Sequence, residues 1–334
     1  MKAVVLACGD GFALRPLTEF TNASLLPVAD KPLLVHALEA LALANLKHAF
    51  VIVSSFSEDV KRTLGEGTQW GMRFEYLSTG PDNSPHDVLA RLHTQLNDDY
   101  LLVRTEMLRT PMVAQFLAGT VSFHSDETMA TVGGVSAGIS VVRRGGRVWS
   151  RNSRPSDGDQ WCERARRVDF GEERLLLINS PAALHRANLE AIAGRFPGLI
   201  LPGRELRARL RVGRKSRLPS AAIKGVPLFV GSGCRIAGNA ELMSETVVSS
   251  DSVIDRRATL RRALVMPRTY VGPLLEVSNA IVAGDLLIDV DTGTHTKVTE
   301  SFMLSSIDNR PLVAVIRDAA ARVGGMLRVA FSPR

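Results

Sequence analysis

Residues 4–14, VVLACGDGFAL, carry an apolar run straight into Gly9-Asp10-Gly11. Two glycines one residue apart at the end of a strand let the main chain turn tightly and bring its amides against an anion. That is the chemistry of holding a phosphate, and Ala7, Gly9, Asp10 and Gly11 are the candidate binding turn. The stretch from Val4 to Leu34 contains almost no side chain suited to phosphoryl chemistry itself. A second polar pair, Thr105-Glu106, follows the apolar run that starts at Tyr100. Cys8 lies inside the first turn with no histidine placed near it by sequence, so it reads as a small buried thiol and not as a nucleophile. His36 reads as structural, His295 as a surface histidine, and Trp70 and Tyr76 as core or sheet-face residues.

These residues need a frame that brings strand ends together. Residues 3–8, 49–55, 73–78 and 100–107 read as short apolar strands, and 32–46, 57–65 and 84–97 as helices between them. Such alternation predicts a Rossmann-like, mostly parallel α/β sheet covered on both faces. Ligands of these sheets bind beyond the carboxyl ends of the strands. Gly9–Gly11 and Thr105-Glu106 both fall at such ends. Residues 119–170 are rich in Gly, Ser and Arg, with strand-like pieces at GISVV and GRVWS. RLLLI (174–178) returns to a strand, and 180–196 is a helix with Ser180 as its N-cap and Pro181 in its first turn. This domain spans residues 1–202, and an Arg-rich linker is expected over 203–222.

The most regular pattern comes next. Val230, Ile236, Leu242, Val248, Ile254, Leu260 and Met266 recur every sixth residue. Four residues after each of the first five stands a small one: Cys234, Ala240, Thr246, Ser252 and Ala258. A period of six predicts a three-sided coil, with one short strand and turn per hexapeptide and the aliphatic on the axis. The phase slips by one after Met266, continues through Val271 and Val277, and slips again before Ile281 and Leu287. A short left-handed parallel β-helix is therefore expected over 223–290. In the tail, 291–334, Leu312, Val315, Ile316, Ala319 and Val323 share one helical face. That face suits docking onto the coil or a second subunit, with a membrane-surface helix as the alternative.

Composition bounds the partners. The net charge is +7, and arginines crowd residues 143–167 and 204–217. Such runs suit an anion or an acidic partner. Aromatics are only 5% of the chain and none interleaves with the arginine runs, so nucleic-acid binding is not expected. No apolar run reaches 18 residues, so no transmembrane segment is expected. Three widely spaced cysteines, with no CxxC, fit a reducing cytoplasm.

MKAVVLACGDGFALRPLT, LLPVADKPLLVHALEAL, LGEGTQWGMRFEYL, SPAALHRAN and the hexapeptides together resemble the sugar-1-phosphate nucleotidyltransferases, or NDP-sugar pyrophosphorylases, that carry a carboxy-terminal β-helix. Mannose-1-phosphate guanylyltransferases and glucose-1-phosphate nucleotidyltransferases are of this kind. The resemblance implies attack of a sugar phosphate on the α-phosphorus of a nucleoside triphosphate, helped by cationic side chains and by Mg²⁺ held on carboxylates. It also shows departures. The family's Arg in the glycine turn falls on Ala13 and its Thr on Phe12, and its Lys before Leu-Leu-Pro-Val falls on Ala23. Arg15 and Lys31 are the remaining catalytic candidates. Glu106 aligns with one metal-binding Asp, whereas the second aligns with Leu177. The base-cradling helix start aligns with Ser84–Leu89 and keeps only its last residue. The expectation is a family fold with pyrophosphorylase activity lost or strongly weakened, a retained nucleotide or sugar-nucleotide site, and a binding or regulatory role. In that role the coil joins a second copy or an active nucleotidyltransferase. The alternative is an active, divergent enzyme that uses Mg²⁺, Arg15, Lys31 and Glu106; a third reading, an acyltransferase coil around His295, lacks partner residues.

Overall fold

The computed structural model describes residues 1–9, 11–79, 88–89, 92, 96, 98–144 and 165–307. In chain order the first domain contains β1 (Lys2–Ala7), β2 (Pro27–Val28), β3 (Lys31–Pro32), α1 (Leu33–Leu43), β4 (His48–Val53), α2 (Ser57–Leu64) and β5 (Arg73–Ser78). It continues with β6 (Tyr100–Arg104), β7 (Met107–Arg109), α3 (Val113–Thr120), β8 (Glu127–Val132), β9 (Val135–Val142), β10 (Arg166–Asp169), β11 (Leu175–Leu177) and α4 (Pro181–Ile192).

A seven-stranded sheet runs in the order β10-β8-β9-β6-β1-β4-β5. β1 is an inner strand, parallel to both β4 and β6, so its amides and carbonyls are paired on both sides. β9 runs antiparallel to its two neighbours. Each sheet face is covered. Val5, Val51 and Val103 pack under Leu34, Leu38 and Leu41 of α1 and Phe116 of α3. Val4, Leu6, Ile52 and Leu102 pack under Val88, Leu89 and Leu92. Burial on both faces explains why the strands read as unbroken apolar runs instead of alternating. The segment from 119 to 144, whose Gly and Ser content hides its periodicity, supplies the β8–β9 hairpin. GRVWS lies outside the described residues, as does most of the expected 84–97 helix.

The second domain holds β12 (Arg204–Arg207), β13 (Leu210–Val212), β14 (Leu228–Val230), β15 (Arg235–Ile236), β16 (Glu241–Leu242), β17 (Thr246–Val248), β18 (Val253–Ile254), β19 (Thr259–Val265), β20 (Thr269–Val271) and β21 (Glu276–Ala283). Leu210 pairs in parallel with Leu228, and Leu228 with Thr246, a step of 18 residues or three hexapeptides. Equivalent parallel rungs join β15 to β18 and β16 to β19, which gives the coil its other two sides. The Arg-rich stretch is thus no linker. Leu210, 3% exposed, lies inside the first rung while its arginine neighbours face outward. Alternation along a strand separates the two, and composition alone does not show it.

The axial row is correct from Val230 to Leu260 and then changes. Val248 pairs with Val265, a step of 17, and Val265 pairs with Val282. One residue is therefore dropped between Leu260 and Val265, not after Met266. Val265 and Val282 fill the axis, while Met266 and Ile281 face the first domain. Leu264-Val265-Met266 offers an aliphatic in every phase, so only the backbone pairing selects one. Leu287 lies on β22 (Leu286–Asp289), which runs antiparallel to β21 and ends the coil with β23 (His295–Lys297) and β24 (Leu304–Ser306). The expected tail helix lies outside the described residues. Among the described residues no helix is long and apolar enough to cross a membrane.

α4 joins the domains. Its Leu184, Ala187, Ala191 and Ile192 share one apolar cluster with an outward coil row, Phe229, Val247, Leu264 and Ile281, and with Leu26, Val28 and Ala29. Polar bonds fix the seam. Asn188 accepts from the Ala29 amide at 2.8 Å and donates to the Pro27 carbonyl at 3.0 Å. Asp30 accepts from the Ser250 amide at 2.8 Å. A Cβ on Gly231 would stand 2.7 Å from the Asp30 carboxylate, so this close approach requires glycine.

Candidate functional site

β1 ends at Ala7, buried, and the chain leaves the sheet through Cys8 and Gly9. Asp10 lies outside the described residues. Gly11 has φ +65° and opens a short 3₁₀ turn, Phe12–Leu14. The Thr18 hydroxyl donates to the Gly11 carbonyl at 2.6 Å, and a Cβ at Gly11 would come within 3.1 Å of Thr18. Gly11 is therefore required by the loop's own shape. At Gly9 a Cβ would meet nothing within 4 Å among the described residues, and the backbone is not left-handed. No described neighbour therefore requires a glycine there.

The floor of the loop is closed by Asn22, a residue the sequence reading left without a role. It is 1% exposed and donates to the carbonyls of Ala7 and Ser55, at 3.2 and 2.8 Å, just where β1 and β4 end. Its Oδ1 caps the turn Ala23–Leu25 by accepting from the Ser24 amide and hydroxyl. The local signal is an Asn two residues before a Ser at a turn, the capping pattern of short polar side chains.

Beside β1, the end of β6 forms the other wall. The Thr105 hydroxyl donates to the Leu6 carbonyl at 2.8 Å and ties the two strand ends together. Arg104, 5% exposed, donates from Nε to Glu106 Oε1 at 2.5 Å, and its Nη2 reaches the same oxygen. Arg109 is fully buried and donates to the carbonyls of Ala137 and Arg104. Burial lowers its pKa to about 10, which leaves it cationic at neutral pH. Burial, and then the negative charge of Glu106, push the Cys8 thiol up to about 12. Cys8 therefore holds its proton and is no nucleophile. Leu177 pairs with Met107, and the Ile178 amide donates to the Glu106 carbonyl at 2.8 Å. The strand that carries Leu177 thus runs beside the chain at Glu106.

Residues 2–122 match the Nucleotidyl transferase family model. This amino-terminal segment is similar to the nucleotidyl transferase family. A glucose-1-phosphate thymidylyltransferase of Streptomyces antibioticus is 40% identical over 100 residues, 30% of this chain and 28% of that protein. One from Neisseria gonorrhoeae is 37% identical over 84 residues, 25% of this chain and 29% of the other. A low-salt glycan biosynthesis nucleotidyltransferase of Haloferax volcanii is 37% identical over 81 residues, 24% of this chain and 23% of the other. The match thus spans under a third of each of these relatives. A Bacillus anthracis structure named for glucose-1-phosphate thymidylyltransferase overlays with TM-score 0.49 and 18% identity, covering 57% of this chain and 95% of that chain.

Of the two candidate cations, one is committed elsewhere and the other lies against an aromatic ring. Lys31 donates to both Glu39 carboxylate oxygens at 2.7 Å and to the Ile200 carbonyl, closing the β2–β3 turn onto α1 and the chain beyond α4. Arg15 is exposed, its guanidinium 5.0 Å from the centre of the Phe12 ring. The donors that a Mg²⁺ ion needs do not fit either. Hard dications take several oxygens, usually carboxylates. Among the described residues this corner holds one carboxylate, Glu106, and it is already bonded to a guanidinium. Among the described residues no group of three or more His, Cys, Asp or Glu is arranged to hold a metal.

Proposed function

We propose that this chain is a nucleotidyltransferase-family protein of sugar-nucleotide metabolism. It binds a nucleotide or sugar nucleotide at the Gly9–Gly11 end of its sheet, with pyrophosphorylase activity lost or strongly weakened. The observation that carries the binding half is Gly9, a glycine at a strand end that no described neighbour requires. Support for the weakened half comes from charge. Phosphoryl transfer needs cations on the triphosphate, yet Lys31 is held by Glu39 and Arg15 faces solvent beside Phe12. The named relatives suggest glucose 1-phosphate and a thymidine nucleotide as the first ligands to try. The role that follows is binding or regulation in the cytoplasm, with a second copy or an active nucleotidyltransferase engaged through outward faces of the coil.

The test pairs calorimetry of dTTP and dTDP-glucose binding with a pyrophosphate-release assay. Binding with turnover far below the ~10 s⁻¹ typical of enzymes supports the proposal. Turnover near that value would show the divergent active enzyme instead. One observation favours that second reading: the Glu106 side chain is still 31% exposed at the strand end.

A further inference from the structure

We infer that the Arg104 guanidinium takes the place of the divalent cation at Glu106, so that the site handles phosphate-bearing ligands without a metal. This rests on the reading above that nucleotide phosphates lie at this end of the sheet, and it concerns how their charge is balanced. Two carboxylates facing each other would need a dication to be neutral. Among the described residues the corner carries Glu106 bonded to the Arg104 guanidinium, with Arg109 donating to the Arg104 carbonyl and close enough to feel the Glu106 charge. The charge of these three side chains is net positive, and an added dication would meet two cations and a carboxylate already bonded to one of them.

The guanidinium groups are built in. Arg104 and Arg109 are 5% and 6% exposed. Room for them depends on Gly138, at φ +65°. A Cβ there would stand 3.1 Å from the Arg104 Cβ, 3.1 Å from Arg109 Nη1 and 2.8 Å from the Met107 sulfur. Nε and Nη2 of Arg104 both converge on Glu106 Oε1, the charge-assisted geometry that guanidinium groups form with carboxylates. Unlike a metal, this cation cannot be removed by a chelator.

Mn²⁺, followed by electron paramagnetic resonance on the full chain, is the direct probe. The wild type is expected to bind none below about 1 mM, and Arg104→Ala/Leu177→Asp, which frees Glu106 and adds a carboxylate on the strand paired beside it, to gain a site. Wild-type binding of Mn²⁺ that Glu106→Gln abolishes overturns the inference, and this arm needs no variant of doubtful folding. In parallel, dTTP affinity is measured by calorimetry in EDTA and in Mg²⁺. Affinities equal within threefold support metal independence; tenfold tighter binding in Mg²⁺ refutes it. Should dTTP bind in neither buffer, the nucleotide reading fails, and the Mn²⁺ result alone decides whether Arg104 fills the cation's place.

Discussion

Gly9 and Gly11 look alike in the sequence and do different work in the fold. Gly11 is held left-handed against Thr18, whereas Gly9 has no neighbour above it among the described residues. Gly9→Ala is expected to leave the melting temperature within about 2 °C, since it creates no clash, while weakening dTTP binding at least tenfold. An unchanged affinity would remove Gly9 from the site. His36 offers a second residue-scale test. It is 7% exposed and its Nε2 donates to the Val28 carbonyl at 3.0 Å, which leaves Nδ1 as the bare nitrogen of a neutral ring. Burial lowers its pKa from 6.5 to about 4. The unfolded state therefore takes up the proton first, and stability is lost as pH falls from 6.5 toward 4, by about 3 kcal/mol. Urea unfolding of wild type and His36→Gln between pH 7 and 4 checks this, and the variant should show the smaller loss. The sequence offered the candidate residue types. Their partners were not: nothing near Lys31 in sequence announces Glu39 and the Ile200 carbonyl as its destination.

At the scale of elements, the hexapeptide period identified the coil, and the pairing register set its bounds. Leu210 looks like one apolar residue in an arginine run, yet it is buried in the coil's apolar cluster, in register with Leu228 and Thr246. Leu210→Ala should cost 2–5 kcal/mol, roughly the loss for a buried leucine, as read by chemical denaturation; a cost below about 0.5 kcal/mol would return the stretch to a linker. The slip near Met266 was misplaced for a physical reason. A coil side packed against another domain needs aliphatics outside as well as inside, so Leu264 and Met266 imitate the axial row. Only the GISVV part of the β8–β9 hairpin was legible, because its strands are buried around small and hydroxyl residues, such as Ala130, Thr131, Ala137 and Ser140.

For the molecule as a whole, the seam couples the coil to the loop that shapes the candidate site. The segment from Asn22 to Lys31 touches β1 and β4 through Asn22 and the coil through Asp30. Burial raises the Asp30 pKa, which backbone bonding from Ser250 partly offsets. A raised carboxyl pKa means that the folded state prefers the proton, so its contribution is lost as pH rises through and beyond the usual carboxylate range. Asp30→Asn keeps an acceptor for Ser250 without the charge. It should melt above wild type at pH 7, with the two converging near pH 3, as seen by differential scanning fluorimetry. Asn188→Ala strands the buried Ala29 amide and Pro27 carbonyl, at a cost of about 1–3 kcal/mol per group. Unfolding in a single transition before and after either change would show that coil and sheet melt as one unit.

Apolar runs and turn glycines determined the parallel sheet, because a strand buried on two faces leaves no other pattern. The six-residue period determined the coil, because only a three-sided path returns an aliphatic to the axis that often. Those signals are local, and they survive in a single sequence. Tertiary structure decided the rest. It alone placed Arg104 on Glu106, Lys31 on Glu39, Asn22 on two strand ends and Met266 outside the axis. Each of these depends on which distant backbone atoms arrive nearby, and charge, hydrogen bonding and packing respond to that distance rather than to order along the chain.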